Sequence, residues 1–272
     1  MDTLTRYDGW MRRVIEGTLD FWGEHRRDLS TTAQYAAWRQ LAEARGVDTN
    51  LQYRMTRSLL PEVIYAAGGV ERELGQLRTA PADVQQFADE SLAQHPRSPE
   101  EWPTSGLRIA APSMREASYI FTNLLSWARS TLDRTERGDR HGDVREPAGL
   151  LPALAPGPLH DSVEVALRNL RASLPDYRLL VNYSLHAGAV TGGGSATAEL
   201  LPTGRVVARV PDPLTVRILT WEVFEFTQDR DMLTYATEVM ESIAIFVDKV
   251  IGAFEANRPA RVGGPPPTRA EG

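Results

Sequence analysis

Apolar and polar positions alternate along most of this chain at the period of an α-helix. Leu4, Tyr7, Met11, Val14, Ile15, Thr18 and Trp22 follow three- and four-residue steps and predict a helix over residues 3–28. Ser30-Thr31-Thr32 then offers a cap for a second helix, marked by Tyr35, Trp38, Leu41 and Ala42 and ended by Gly46. A third is expected from Thr49 to Leu77, with Pro61 and the Gly68-Gly69 pair as breaks. A fourth runs from Pro81 to His95, with proline in its first turn.

Residues 96–112 carry Pro96, Pro99, Pro103, Gly106 and Pro112 and read as a connector. Ser113-Met114-Arg115-Glu116 is a capping-box pattern that opens an apolar helix through Tyr119, Ile120, Leu124, Leu125, Trp127 and Leu132. From Arg134 to Pro158 the chain is charged and then rich in proline and glycine, which predicts a mobile loop. A helix is expected from His160-Asp161, capped by Asp161 and Glu164, and another from Pro175 to Gly188.

The period then changes. Ser195–Leu201 and Arg205–Val210 flank Pro202-Thr203-Gly204, which predicts a β-hairpin. Residues 214–226 suit a strand as well as a helix, because Thr215, Val216, Ile218 and Val223 are β-branched. The last helix is the clearest: Met232, Tyr235, Val239, Ile243, Phe246, Val247, Val250 and Phe254 form one face. The expected fold is mainly α, a helical bundle with a small inserted β-hairpin near residues 195–210. Its expected parts are an N-terminal helical region (1–95), a C-terminal bundle with the hairpin (113–257) and a disordered tail (258–272).

Composition narrows the chemistry. The 272 residues include no cysteine, which excludes disulfides, thiolate metal sites and thiol nucleophiles. Net charge is -6, and residues 197–257 hold ten acids against five bases, so no broad basic coat is present for nucleic acid. Lys249 is the single lysine against 29 arginines, a bias that GC-rich codons explain. No signal peptide or apolar run of membrane-spanning length is visible, and a cytoplasmic location is expected.

Walker A, Rossmann and nucleophile-elbow motifs are absent, and no histidine follows an acid by three residues as a di-metal bundle requires. No metal and no cofactor is therefore expected. His25, His95, His141 and His160 fall in charged runs or at helix ends. His186 differs. Arg178, Asn182 and His186 lie at four-residue steps, so on a helix they share a face. Such a row holds a phosphate while the imidazole moves protons near neutral pH. The plainer reading is a core histidine satisfied by Asn182. Arg205 and Arg209 lie four residues apart on the expected hairpin and point to one face, where they contact phosphate or keep an edge strand soluble.

The segment Asn182-Tyr183-Ser184-Leu185-His186, late in a helical chain, resembles the HEPN superfamily, whose members carry Arg-Asn-x-x-x-His on an α-helical bundle. The resemblance covers residues 113–257. It implies a metal-independent ribonuclease or an RNA- or nucleotide-binding protein acting as a dimer in bacterial stress or defence. His186 would move protons, Asn182 would position substrate and Arg178 would counter charge on phosphorus. The chain departs from the pattern at Val181, which stands where the family has arginine; Arg178 lies one helical turn upstream. Arg134, with six residues before His141, is the second match in spacing.

Two further classes compete with this reading. One is a non-catalytic helical protein-interaction or dimerisation module built on the aromatic-rich helices that hold Trp10, Trp22, Trp38, Trp127 and Trp221. The other is a bundle that encloses an apolar ligand.

Overall fold

A computed structural model of the chain describes residues 6–14, 59–94, 107–109, 112–136, 149–154, 156–174, 197–212, 215–220, 223–226 and 228–257. The protein is mainly α. After a helical segment at residues 6–14 come α1 (Leu60–Leu77), α2 (Ala80–Gln94), α3 (Pro112–Glu136), α4 (Leu150–Ala153), α5 (Pro158–Ser173) and α6 (Met232–Ala256). Strands β1 (Leu107–Ile109), β2 (Thr197–Leu200), β3 (Val206–Pro211) and β6 (Asp229–Asp231) form one antiparallel sheet in the order β1-β2-β3-β6. A separate two-stranded sheet pairs β4 (Val216–Thr220) with β5 (Val223–Phe226). The expected helices at 35–46 and 175–188 and the tail 258–272 lie outside the described residues.

One apolar core joins elements far apart in sequence: Trp10 and Val14, Val63 and Leu77 of α1, Phe121 of α3, Leu167 of α5 and Phe246 of α6. Phe121 and Phe246 are essentially removed from water. Truncating such a side chain to alanine costs about 3–5 kcal/mol. The face expected on α6 is the one buried, and Glu238, Glu241, Asp248 and Lys249 lie outside it in water. Asp231 caps this helix, its carboxylate accepting from the Thr234 amide at 2.6 Å.

The Gly68-Gly69 pair, expected as a break, sits inside an uninterrupted α1. Its role is close approach. A Cβ on Gly68 would lie 2.5 Å from Cδ2 of Tyr7, and one on Gly69 would lie 2.6 Å from Cγ of Trp127. Adjacent glycines thus let the N-terminal segment and α3 both reach the α1 backbone. Pro61, also expected as a break, lies in the first turn, where its missing amide costs nothing.

Three boundaries differ from expectation. Pro112 begins α3, so Ser113 falls inside the helix and not at its cap. Likewise Pro158 begins α5, and no side chain caps its N-terminus. The expected loop from Arg134 is shortened, since α3 continues to Glu136 and α4 forms at Leu150–Ala153. Arg171 of α5 secures the end of α3 through Glu136 at 2.6 Å.

The hairpin follows its turn chemistry. Gly204 donates to the Leu201 carbonyl at 2.8 Å, Leu201 donates to the Arg205 carbonyl at 2.9 Å, and Gly204 has a φ of 81°. Helix α2 clamps this turn: the Gln85 amide donates to the Gly204 carbonyl and accepts from the Val206 amide, both at 2.8 Å. The buried face of the sheet, with Ala198, Leu200, Val206, Ala208 and Val210, joins the core. The ambiguous 214–226 stretch resolves into β4 and β5, with a register shift between Ile218 and Thr220. Strand β1 lies inside the expected connector and pairs Ile109 with Ala198.

Candidate functional site

Arg178, Asn182 and His186 lie outside the described residues, as does His141. Arg134 is within α3 and donates to Glu62 of α1 at 2.6 Å. Arg205 sits in water one residue before β3. Arg209 is half-buried and donates from Nε to Glu199 Oε2 of β2 at 3.0 Å. The two arginines alternate with the buried Val206 and Ala208, so they take the outer side of the strand. The structure therefore gives Arg209 a carboxylate partner across the hairpin.

That pairing recurs along the described surface. Arg6 meets Glu241 at 2.8 Å, and Arg13 meets Asp248 at 2.9 Å and Glu255 at 2.7 Å. Glu241, Asp248 and Glu255 follow seven-residue steps on α6, so they line one side of it and receive the N-terminal segment. The hydrogen bond to Glu255 is the largest influence on Arg13 and holds its guanidinium above its ordinary range. Glu71 of α1 completes the docking by accepting from the amides of Arg6 at 3.2 Å and Tyr7 at 3.0 Å. This carboxylate is a helix cap supplied by a different helix.

Among the described residues, the exposed tyrosines lie on α1 and α3. Trp127 stands against Gly69, flanked by Tyr65 edge-on with centroids 5.7 Å apart and by the Arg72 guanidinium 5.5 Å from the ring centroid. Arg115, Tyr119, Asn123 and Trp127 succeed one another at four-residue steps and share a face of α3. Arg115 lies 6.0 Å over the Tyr119 ring. Tyr65 is 51% exposed and Tyr119 59%. The sequence places Tyr119 in the apolar stripe, and it instead faces water beside that stripe. Periodicity alone does not separate a core aromatic from one at the stripe's edge, and Tyr65 carries no sequence signal beyond its type.

The described residues also line concavities. A cleft of about 920 Å³ opens between the end of α1 and the first turns of α2 and α3, with Met240 and Glu241 of α6 on another side. A groove of about 660 Å³ runs between α5 and α6, past Val165 and the single lysine, Lys249. Near it, His160, Asp161 and Glu164 bring three potential ligand atoms within 4.8 Å of one another. Acidic groups are ordinary in the first turn of a helix and carry no metal assignment by themselves. Among the described residues no helix is long and apolar enough to cross a membrane.

No protein-family model matches the chain, and neither does any curated protein or solved structure.

Proposed function

We propose that the chain is a non-catalytic helical interaction module that self-associates in the cytoplasm through the α1–α3 ridge. The observation that carries this reading is the pair of exposed tyrosines on α1 and α3, Tyr65 against Trp127 with Arg72 on the same ring, and Tyr119 under Arg115 two turns along α3. Tyrosine, tryptophan and arginine dominate the energetic centres of protein interfaces, because they bury large areas at small entropic cost. The charge pattern supports a protein partner over a phosphate backbone. Arg134 is matched by Glu62 and Arg129 by Asp133 on the same two helices, whereas backbone binding draws on uncompensated cations.

The test is the molar mass in solution of wild type and the Tyr65→Ser/Tyr119→Ser variant by light scattering across a concentration series. Wild type should rise toward twice the monomer mass while the variant stays monomeric. Identical mass in both at every concentration overturns the reading.

A second reading rests on the Asn182–His186 motif, with Arg178 one turn upstream. In it the chain is HEPN-like and engages RNA or a nucleotide, with Arg205 and Arg209 contributing to phosphate contact. The experiment is cleavage of end-labelled RNA in excess EDTA by wild type and His186→Ala. Cleavage lost in the variant establishes a metal-independent ribonuclease. Absence of cleavage by folded wild type removes the catalytic form of this reading.

A further inference from the structure

Charges on the described surface are mostly matched, and three of the exceptions line one cleft. Among the described residues, Asp83 and Glu116 enter no ion pair or side-chain hydrogen bond, and neither does the side chain of Arg78. All three line the 920 Å³ cleft. The other charged groups there are committed: Arg6 to Glu241, Glu71 to the amides of residues 6 and 7, and Arg72 to Glu73 and the Trp127 ring. Beneath the rim the cleft is apolar, with Leu74, Ala117 and Met240 buried in the core and Ile120 half-buried.

An apolar floor under spare charges of both signs selects a ligand with the converse layout. We propose that this cleft binds a small zwitterion of the amino-acid or short-peptide type. Its apolar body lies against half-buried Ile120, its ammonium meets Asp83 and Glu116, and its carboxylate takes the forked donors of Arg78. The volume falls within the range of small-molecule pockets and admits a dipeptide. A purely anionic ligand is opposed by two unpaired carboxylates, and a purely cationic one leaves Arg78 unmatched. The proposed ligand contacts are made by Arg78, Asp83 and Glu116, none of them in the aromatic ridge, although the cleft and the ridge share Arg72.

Calorimetric titration of the full chain with leucyl-leucine, leucyl-leucinamide and N-acetyl-leucyl-leucine tests this. Wild type should bind the free dipeptide, and removing either ligand charge should weaken binding roughly tenfold or more. Arg78→Gln should weaken the dipeptide to a similar degree without further weakening the amide. Asp83→Asn/Glu116→Gln should do the same, without further weakening the N-acetyl form. All three residues are exposed, so the variants should keep the wild-type circular dichroism spectrum and molar mass. Silence from all three ligands at millimolar concentration overturns the proposal, as does dipeptide affinity unchanged in both variants.

Discussion

The indole of Trp127 occupies the space in which any side chain at position 69 would begin, 2.6 Å from Cγ to where a Cβ would stand. Glycine in a helix interior ordinarily costs about 0.5–1 kcal/mol relative to alanine. Here the sign is reversed. Gly69→Ala should destabilise by about 1–3 kcal/mol, because Trp127 or the helix must move. Gly68→Ala should do the same through Tyr7. Gly252 of α6 has open space around its would-be Cβ, so Gly252→Ala should stabilise by up to about 1 kcal/mol. Urea denaturation of the three variants measures both signs. Equal stabilisation by all three would contradict the close approach.

Glu71 acts at a distance of more than sixty residues as the cap of the N-terminal segment. Glu71→Ala should cost about 1 kcal/mol, the usual value of a lost N-cap, and Glu71→Gln should cost less because an acceptor remains. Amide exchange localises the effect. Protection should fall first at residues 6–14, and uniform loss across the core would contradict a local capping role.

Arg13 reaches two carboxylates two turns apart on α6, and Trp10 Nε1 donates to one of them, Asp248, at 3.2 Å. These pairs are a third or more exposed, so their contribution is discounted for water. Arg13→Gln should cost about 1 kcal/mol at low salt, and the difference from wild type should close near 1 M salt, where screening acts within about 3 Å. Because the Arg13 pKa is raised, its stabilisation is fully present below the ordinary arginine range and is lost only as pH rises through the folded value. Arg13 should therefore add no pH dependence around neutrality. A stability gap between wild type and Arg13→Gln that changes across neutral pH would contradict this.

Gln85 satisfies both the turn carbonyl of Gly204 and the amide of Val206. Gln85→Leu should remove both hydrogen bonds and cost about 1 kcal/mol, since water takes over the exposed Gly204 carbonyl. Glutamate should be intermediate, since it accepts from Val206 but cannot donate to Gly204. Thermal melts of the two variants measure the order, and its reversal would contradict the clamp.

What the sequence revealed and hid follows from range. The α6 stripe and the β2–β3 hairpin were legible because a 25-residue periodicity and a Pro-Thr-Gly turn are local signals. Gly68-Gly69 misled because the reason for those glycines lies on residues 7 and 127. Strand β1 is three residues long, too short for an alternation to register, and its partner is ninety positions away. The Tyr65–Trp127 contact and the cleft are assembled from separate helices. No single window contains either one. Arg178, Asn182 and His186 share a four-residue spacing in the sequence and lie outside the described residues.

The ridge is the central claim, and oxidative footprinting of wild type at low and high protein concentration reads it side chain by side chain. Oxidation of Tyr65 and Tyr119 should fall as concentration rises, while Ile245, 62% exposed on α6, keeps its low-concentration rate. Constant oxidation of both tyrosines while the molar mass doubles, or protection at Ile245 in their place, would contradict self-association through α1 and α3.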